Sequence, residues 1–484
     1  MTFSDLQPIL PEIFLVLLAA VVMGLDLTLP ESRRRQLGLV TAVGFFVAMA
    51  LALIFALPGG EDALIFGGMI RHDFASFLFR MLFLFCGAIT ALLSLDVEGL
   101  GRKGEYYAIL IGCVLGMNFM AASADLIMLY LSLETTSIGL YALAGFLRDD
   151  DKSAESGLKY FLFGAFTATV MLYGFSLLFG YTGETNLYAI AEAVSAGAVP
   201  PLALIVSAVM IVVGIGFKVA LVPFHFWTPD VYEGAPTPVT AFLSVASKSA
   251  GFAVLIRVFI AGLGAAATAP LGAGWLPMMM AMAAVTMTLG NLLALPQRNI
   301  KRLLAYSSIA HAGYAMMGIV AFSEQGIAAT VLYLMAYALT NLAAFGVVIL
   351  FARAAGSDEI ADYAGLSRRS PGLALAMLVA FLSLGGMPPL VGFVSKFLVF
   401  AAAMQSNLVW LTFVGIINSI IGLYYYLIVL KVVYVKPAPE GASAIPVPRP
   451  YAFALGLLCA GILVVGIAVT PWLNWATTAA AALF

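Results

Sequence analysis

Apolar runs of about 20 residues recur along the whole chain, parted by short polar connections. A helix of that length crosses a hydrocarbon core of roughly 30 Å. In lipid the backbone must satisfy its own hydrogen bonds, so each run is predicted to be helical. The alternation of apolar and polar residues that marks an outer-membrane barrel is absent. The pattern predicts spans near 9–29, 37–57, 74–95, 106–122, 125–147, 158–180 and 201–222. Seven more are predicted near 238–262, 275–295, 303–322, 327–352, 371–402, 410–430 and 451–470. The run 371–402 is too long for one straight span, and Gly385-Gly386-Met387-Pro388-Pro389 interrupts it. Pro223 marks a second break, because proline removes a backbone donor. The expected fold is an all-α polytopic membrane protein of about fourteen transmembrane helices, a single membrane domain over 1–484.

The charges sharpen this into a topology. With the N-terminus placed outside, sixteen lysines and arginines fall in one set of alternate connections, from Arg33-Arg34-Arg35 through Arg102, Lys103 and Arg148 to Arg449. The opposite set holds only Arg71. Cytoplasmic connections carry the excess of basic residues. Both termini are therefore expected on the periplasmic side of a bacterial inner membrane. The first apolar run precedes its basic cluster, which reads as an uncleaved first span rather than a signal peptide.

Composition agrees with this reading and excludes others. Of 484 residues, 63% are hydrophobic and 10% charged, against roughly 25% charged in a soluble domain. A net charge of −2 offers no basic face for nucleic acid. The cysteines (Cys86, Cys113, Cys459) lie far apart, without the spacing of a metal site or an iron–sulfur cluster. The histidines (His72, His225, His311) suggest no haem ligation, and no glycine-rich nucleotide loop follows a strand.

Six basic residues remain inside the predicted spans: Arg80, Lys159, Lys218, Lys248, Arg257 and Lys396. A charge at mid-bilayer costs about 2.5–3.5 kcal/mol on insertion scales and marks function unless it snorkels to the interface or pairs. Arg80 and Arg257 sit near outer helix ends and read as snorkelling or structural pairs. Lys159 opens its span on the cytoplasmic side and fits either role. Lys248 lies ten residues into its span, and Lys396 follows the Gly-Gly-Met-Pro-Pro break by seven residues. Lys218 lies one turn before Pro223, where freed carbonyls can hold water or a cation. Glu134, in Leu-Ser-Leu-Glu-Thr-Thr-Ser, is the acid nearest the middle of a span, and a lysine would be its simplest partner. His311 lies mid-helix with Ser307, Ser308 and Tyr314 within one turn, and imidazole changes charge near physiological pH. A satisfied core histidine is the plainer reading of that position. Together these groups suit proton transfer: burial favours the neutral amine, and a nearby carboxylate favours the ammonium. A small helix displacement that moved Glu134 relative to Lys218 would then switch the lysine between holding and releasing a proton.

The stretch from Lys218-Val-Ala-Leu-Val-Pro-Phe-His-Phe-Trp-Thr-Pro-Asp through Tyr-Glu-Gly-Ala-Pro-Thr-Pro to Ser-Val-Ala-Ser-Lys248 resembles the antiporter-like membrane subunits of respiratory complex I. That family also includes subunits of multisubunit cation/proton antiporters and of membrane-bound hydrogenases, and the resemblance extends over about residues 105–430. Gly-Phe-Val-Ser-Lys396-Phe with no following acid, Leu-Ser-Leu-Glu134 and Tyr306-Ser-Ser-Ile-Ala-His311 are similar to the N-subunit branch. An end soon after the fourteenth span also differs from the branch that carries a long C-terminal lateral helix.

The resemblance implies two inverted five-helix repeats, each with a broken helix: 106–262 and 275–430, after three N-terminal helices in 1–105 and before a C-terminal helix and tail in 451–484. It implies that Glu134 and Lys218 form a modulating pair, that Lys248 and His311 relay along the central plane, and that Lys396 communicates with the outer exit. It places NADH, FMN, iron–sulfur clusters and quinone in partner subunits and no redox centre in this chain. The partners implied are other membrane subunits of the complex. The expected function is proton translocation within NADH:quinone oxidoreductase. The alternatives are a cation/proton antiporter or hydrogenase subunit without NADH linkage, and a scaffold whose charges only pin helices. Three mid-depth lysines are poor sodium ligands, because ammonium has no lone pair to offer.

Overall fold

The computed structural model describes residues 6–59, 63–268, 274–441 and 443–483. In chain order its main helices are α1 (Gln7–Thr28), α2 (Glu31–Phe55), α3 (Phe74–Ser94), α4 (Gly104–Ala122), α5 (Leu126–Ala144), α6 (Asp151–Thr182), α7 (Leu187–Ser195), α8 (Pro201–Val219) and α9 (Trp227–Gly234). They continue with α10 (Thr237–Gly262), α11 (Leu276–Ala294), α12 (Ile300–Val320), α13 (Glu324–Ala355), α14 (Pro371–Gly385), α15 (Val391–Gln405), α16 (Val409–Tyr434), α17 (Arg449–Ile467) and α18 (Val469–Ala481). Thirteen are long and apolar enough to cross a membrane, and α14 with α15 supply the interrupted run. The multi-pass helical fold is thus the one the apolar pattern predicts. A short antiparallel hairpin (β1, Ala63–Ile65; β2, Ile70–His72) sits in the connection before α3.

Side chains fix where the spans start. Asp125, Asp150, Asn299 and Ser323 accept the free N–H groups of the first turns of α5, α6, α12 and α13. Asp73 and Ser76 form a reciprocal capping box on α3. Three boundaries differ from the expected ones. The Asp150 cap starts α6 a full two turns before residue 158. The run 201–222 ends at Val219, with α9 as a separate piece beyond the break. The tail after residue 470 is also helical: α18 is too short to span and lies against α13 and α3.

The centre of the bundle is α10, buried along its whole length, with α13, α3, α8 and α4 packed around it. The tightest lateral pairs are α11 with α12, α6 with α8, and α4 with α5. Connections predicted to share a side do meet. At one end Arg35 donates to Asp96 at 2.8 Å and Arg353 approaches it at 3.8 Å. At the other, Arg71 donates to the Ala482 carbonyl and Asn186 to that of Gly68.

Candidate functional site

Two broken spans and the buried helix between them position the candidate side chains. At the first break α8 stops after Lys218 and Val219, and Ala220 turns left-handed (φ 62°). The carbonyl of Val219 would look to residue 223, but Pro223 has no N–H to give. Other groups hold the turn. Trp227 of α9 donates its indole N–H to the Phe217 carbonyl at 3.0 Å, and Val222 N–H donates to Thr286 Oγ1 of α11. Lys218 is therefore the last-turn cation of a helix, where the macrodipole favours positive charge.

The Lys218 ammonium is 3% exposed and donates to Ser137 Oγ on α5 at 2.9 Å. Glu134 lies one turn away on the same face of α5, about 4.5 Å of rise from Ser137. The two interact through space, but no contact of 4.0 Å or less joins them as an ion pair. One Glu134 carboxylate oxygen, Oε1, is buried without a hydrogen bond. The carboxylate and the amine are thus adjacent but not joined.

Lys218 packs against α10 where α8 crosses it at Gly251. A Cβ there would sit 3.2 Å from the Lys218 stem and nearer still to Val219, so only glycine permits the approach. Lys248, 2% exposed, lies three residues earlier on α10, immediately after a π-helical turn at Leu243–Ser247. Its ammonium donates to the Ser308 carbonyl of α12 at 2.8 Å. Ser308 precedes His311 by one turn, so lysine and histidine share one face of α12.

His311 is buried among tyrosines. Its Nδ1 is 2.6 Å from Tyr333 Oη, its Nε2 is 3.3 Å from Tyr426 Oη, and Tyr426 in turn bonds Ser307. It lies within electrostatic reach of both Lys248 and Lys396. A gap of about 10 Å³, bounded by Thr340 and Ser383 among others, lies between His311 and Lys396, about the space one water needs.

At the second break Gly386 takes the left-handed conformation (φ 82°) that ends α14. The Leu384 carbonyl would accept from residue 388, which is a proline; instead Lys396 of α15 donates to it at 2.8 Å. Ser419 lies 3.4 Å from the same ammonium, and the Tyr314 ring centroid 5.0 Å. The two breaks thus use the same chemistry, with a proline that withholds a donor and a lysine close by.

Lys159 sits apart from the other five candidates. It is partly exposed and pairs with Glu155 and Asp230, both at 2.7 Å. Asp230 also accepts from Arg302 at 3.0 Å, and Glu233 accepts from Arg302 and Lys152. Burial alone would raise both carboxyl pKa values, but hydrogen bonds from Lys159 and Arg302 to Asp230, and from Arg302 and Lys152 to Glu233, hold them below their ordinary range. The sequence alone does not single out these two acids, although their spacing on α9 puts them on one face. Nor does it single out Ser137, Tyr333 and Tyr426, which reach Lys218 and His311 only through tertiary packing. Arg80 and Arg257 are structural pairs, as their positions suggested. Arg80 meets Glu12 at 2.7 Å, and Arg257 grips Asp73 with two bonds of 2.6 Å. Among the described residues no cluster of His, Cys, Asp or Glu is placed to hold a metal ion.

Comparison with known proteins gives this geometry a family. The family described as NADH:quinone oxidoreductase/Mrp antiporter, TM matches residues 123–422. NADH-quinone oxidoreductase subunit N of Moorella thermoacetica is 43% identical over 99% of both chains. The subunit N of an Anaeromyxobacter species is 42% identical over 98% of this chain and 96% of its own. The chain belongs to the subunit N family of NADH-quinone oxidoreductase. A chain of respiratory complex I from Thermus thermophilus superposes with a TM-score of 0.81 at 33% identity, over 96% of this chain and 99% of that one. A chain of the Mrp complex from Dietzia superposes at 0.85 with 20% identity, over 100% and 98% of the chains, a likeness of fold alone.

Proposed function

We propose that this chain moves protons across the membrane through the buried series Glu134–Lys218, Lys248, His311 and Lys396, as part of an NADH:quinone oxidoreductase. The observation that carries the reading is that three buried ammonium groups, on α8, α10 and α15, each rest on neutral oxygens. A lysine so placed is free to give up its proton without abandoning a counter-ion. Glu134, one turn from Ser137, supplies the charge that sets the state of Lys218. Lys159, Asp230, Glu233 and Arg302 form the end of the route on the side of the basic connections.

The subunit works among other membrane subunits of the complex, and electrons pass from NADH to quinone in its partners, with no cofactor held here. The side bearing the basic connections is the cytoplasm, both termini face the periplasm, and the membrane is the bacterial inner membrane. Residues 106–262 and 275–430 form the two repeats, and 1–105 and 451–484 flank them. Replacing Lys218 or Glu134 with alanine should abolish most NADH-driven proton pumping in membrane vesicles while the complex assembles. Unchanged pumping by an assembled complex would remove the relay. Purification in mild detergent should bring flavin and iron–sulfur absorbance with the chain; a preparation with only antiporter subunits would defeat the link to NADH.

A further inference from the structure

The bundle carries a groove of about 390 Å³ that takes no part in proton transfer. It lies between α2 and α3 on one wall and α13 and α17 on the other, with α18 at one end. Every residue that lines it is apolar, and its size falls in the roughly 300–1,000 Å³ range of sites that hold small ligands. Met49 and Met335 on opposite walls are side chains that reshape to a guest. Gly461 forms part of its floor.

Its length decides what it fits. The lining runs over residues 78–85 of α3 and 457–465 of α17, about 11–12 Å of helix rise. The hydrocarbon core is roughly 30 Å thick. A transmembrane helix from a partner would need an apolar stripe across that whole depth, whereas a lipid tail occupies only its own leaflet.

The rim gives the direction of entry. Trp472 and Trp475 meet edge to face at 5.7 Å at the groove's mouth, and Trp475 is exposed. They stand on α18, which is too short to cross the core and ends at the surface where Ala482 accepts from Arg71. Tryptophan settles at the headgroup level of a bilayer. The groove therefore opens at the headgroups and runs inward.

We propose that this groove is a binding site for one acyl chain of a phospholipid in the leaflet at the Trp472–Trp475 end, held as a packing element in the seam between α2–α3 and α13–α17. Water-driven burial offers nothing between lipid and protein in a membrane, so retention rests on close contact with the groove walls.

The test uses the intact complex in phosphatidylcholine vesicles that contain a phospholipid with a diazirine midway along one chain. After illumination, adducts mapped by peptide mass spectrometry should concentrate several-fold on α3, α13 and α17 around Met335 and Gly461, over lipid-facing Val16 and Ile420. Gly461→Leu and, separately, Ala338→Leu should remove that excess while NADH-driven pumping stays normal. Even labelling of all lipid-facing helices would overturn the proposal, as would an excess that survives both substitutions. Two further results would also overturn it: groove cross-links to a neighbouring subunit, or stronger labelling by a diazirine-bearing isoprenoid tail.

Discussion

Two buried arginines and three buried lysines lie among the same spans, none more than 5% exposed, and the structure treats them in opposite ways. Arg80 and Arg257 meet carboxylates, Glu12 and Asp73. Lys218, Lys248 and Lys396 meet a serine hydroxyl and two backbone carbonyls. Guanidinium keeps its proton at any working pH and matches a carboxylate with two parallel bonds, so it serves as a fastener. An amine on a flexible stem can give up its proton, and a neutral partner does not penalise the loss. The type of partner, more than depth in the membrane, separates cations that hold helices together from cations that can relay.

The largest effect expected from this contrast is on the fasteners. Arg257→Ala leaves the Asp73 carboxylate buried without its main partner, a loss of about 3–5 kcal/mol. The subunit should then be depleted from membranes, and Asp73→Asn in the same chain should restore part of it; immunoblots of membrane fractions measure both. If Arg257→Ala accumulated normally, the fastener reading would fail.

Next comes Lys248→Arg, which keeps the positive charge but fixes the proton. Pumping should fall on the order of tenfold, equivalent to about 1.4 kcal/mol in a rate, with assembly intact. Acridine-dye quenching in vesicles would report it, and an arginine that sustained pumping would erase the distinction between the two kinds of cation.

Tyr333→Phe removes the hydroxyl at His311 Nδ1, a single hydrogen bond of about 1 kcal/mol. A few-fold slower pumping with a shifted pH profile is expected. An unchanged profile would mean that Tyr333 does not set the histidine's tautomer.

The smallest effect belongs to the exposed cluster. Asp230→Asn should cost about 0–1 kcal/mol in thermal stability of the solubilised complex, as surface pairs do. Asp230 and Glu233 are held below their ordinary pKa values of 3.8 and 4.5. Their stabilisation is therefore complete above those values and drains away as pH falls through the lowered ones. A melting temperature followed from pH 6 down to pH 3 should show that loss in the parent and less of it in Asp230→Asn.

Much of this was legible in the chain. The period and length of the apolar runs gave the spans, because lipid leaves a backbone few ways to satisfy itself. The Gly-Gly-Met-Pro-Pro run announced the break between α14 and α15, since neither proline can donate. Lys218, Lys248, His311 and Lys396 stood out as polar residues in apolar surroundings. The partner of each did not. Asp73 and Arg257 are 184 residues apart, and Lys218 and Ser137 are 81 apart, so no local pattern links them. That Lys218 donates to Ser137, one turn from Glu134, rather than to the carboxylate itself was likewise outside any local pattern. Residues 469–481 passed as tail because a short helix with scattered tryptophans has no spanning-length apolar run.

The sequence by itself determined a multi-pass helical protein, where its spans break, which connections share a side, and which ionisable residues lipid would bury. Those features depend on the cost of exposing polar groups to hydrocarbon, which is paid residue by residue. Only the tertiary structure decided which buried cation meets a carboxylate and which meets a neutral oxygen, that Gly251 lets the Lys218 helix pass close to α10, and that five helices leave a groove open at their rim. Those features depend on distances between segments remote in the chain, and helix packing alone fixes them.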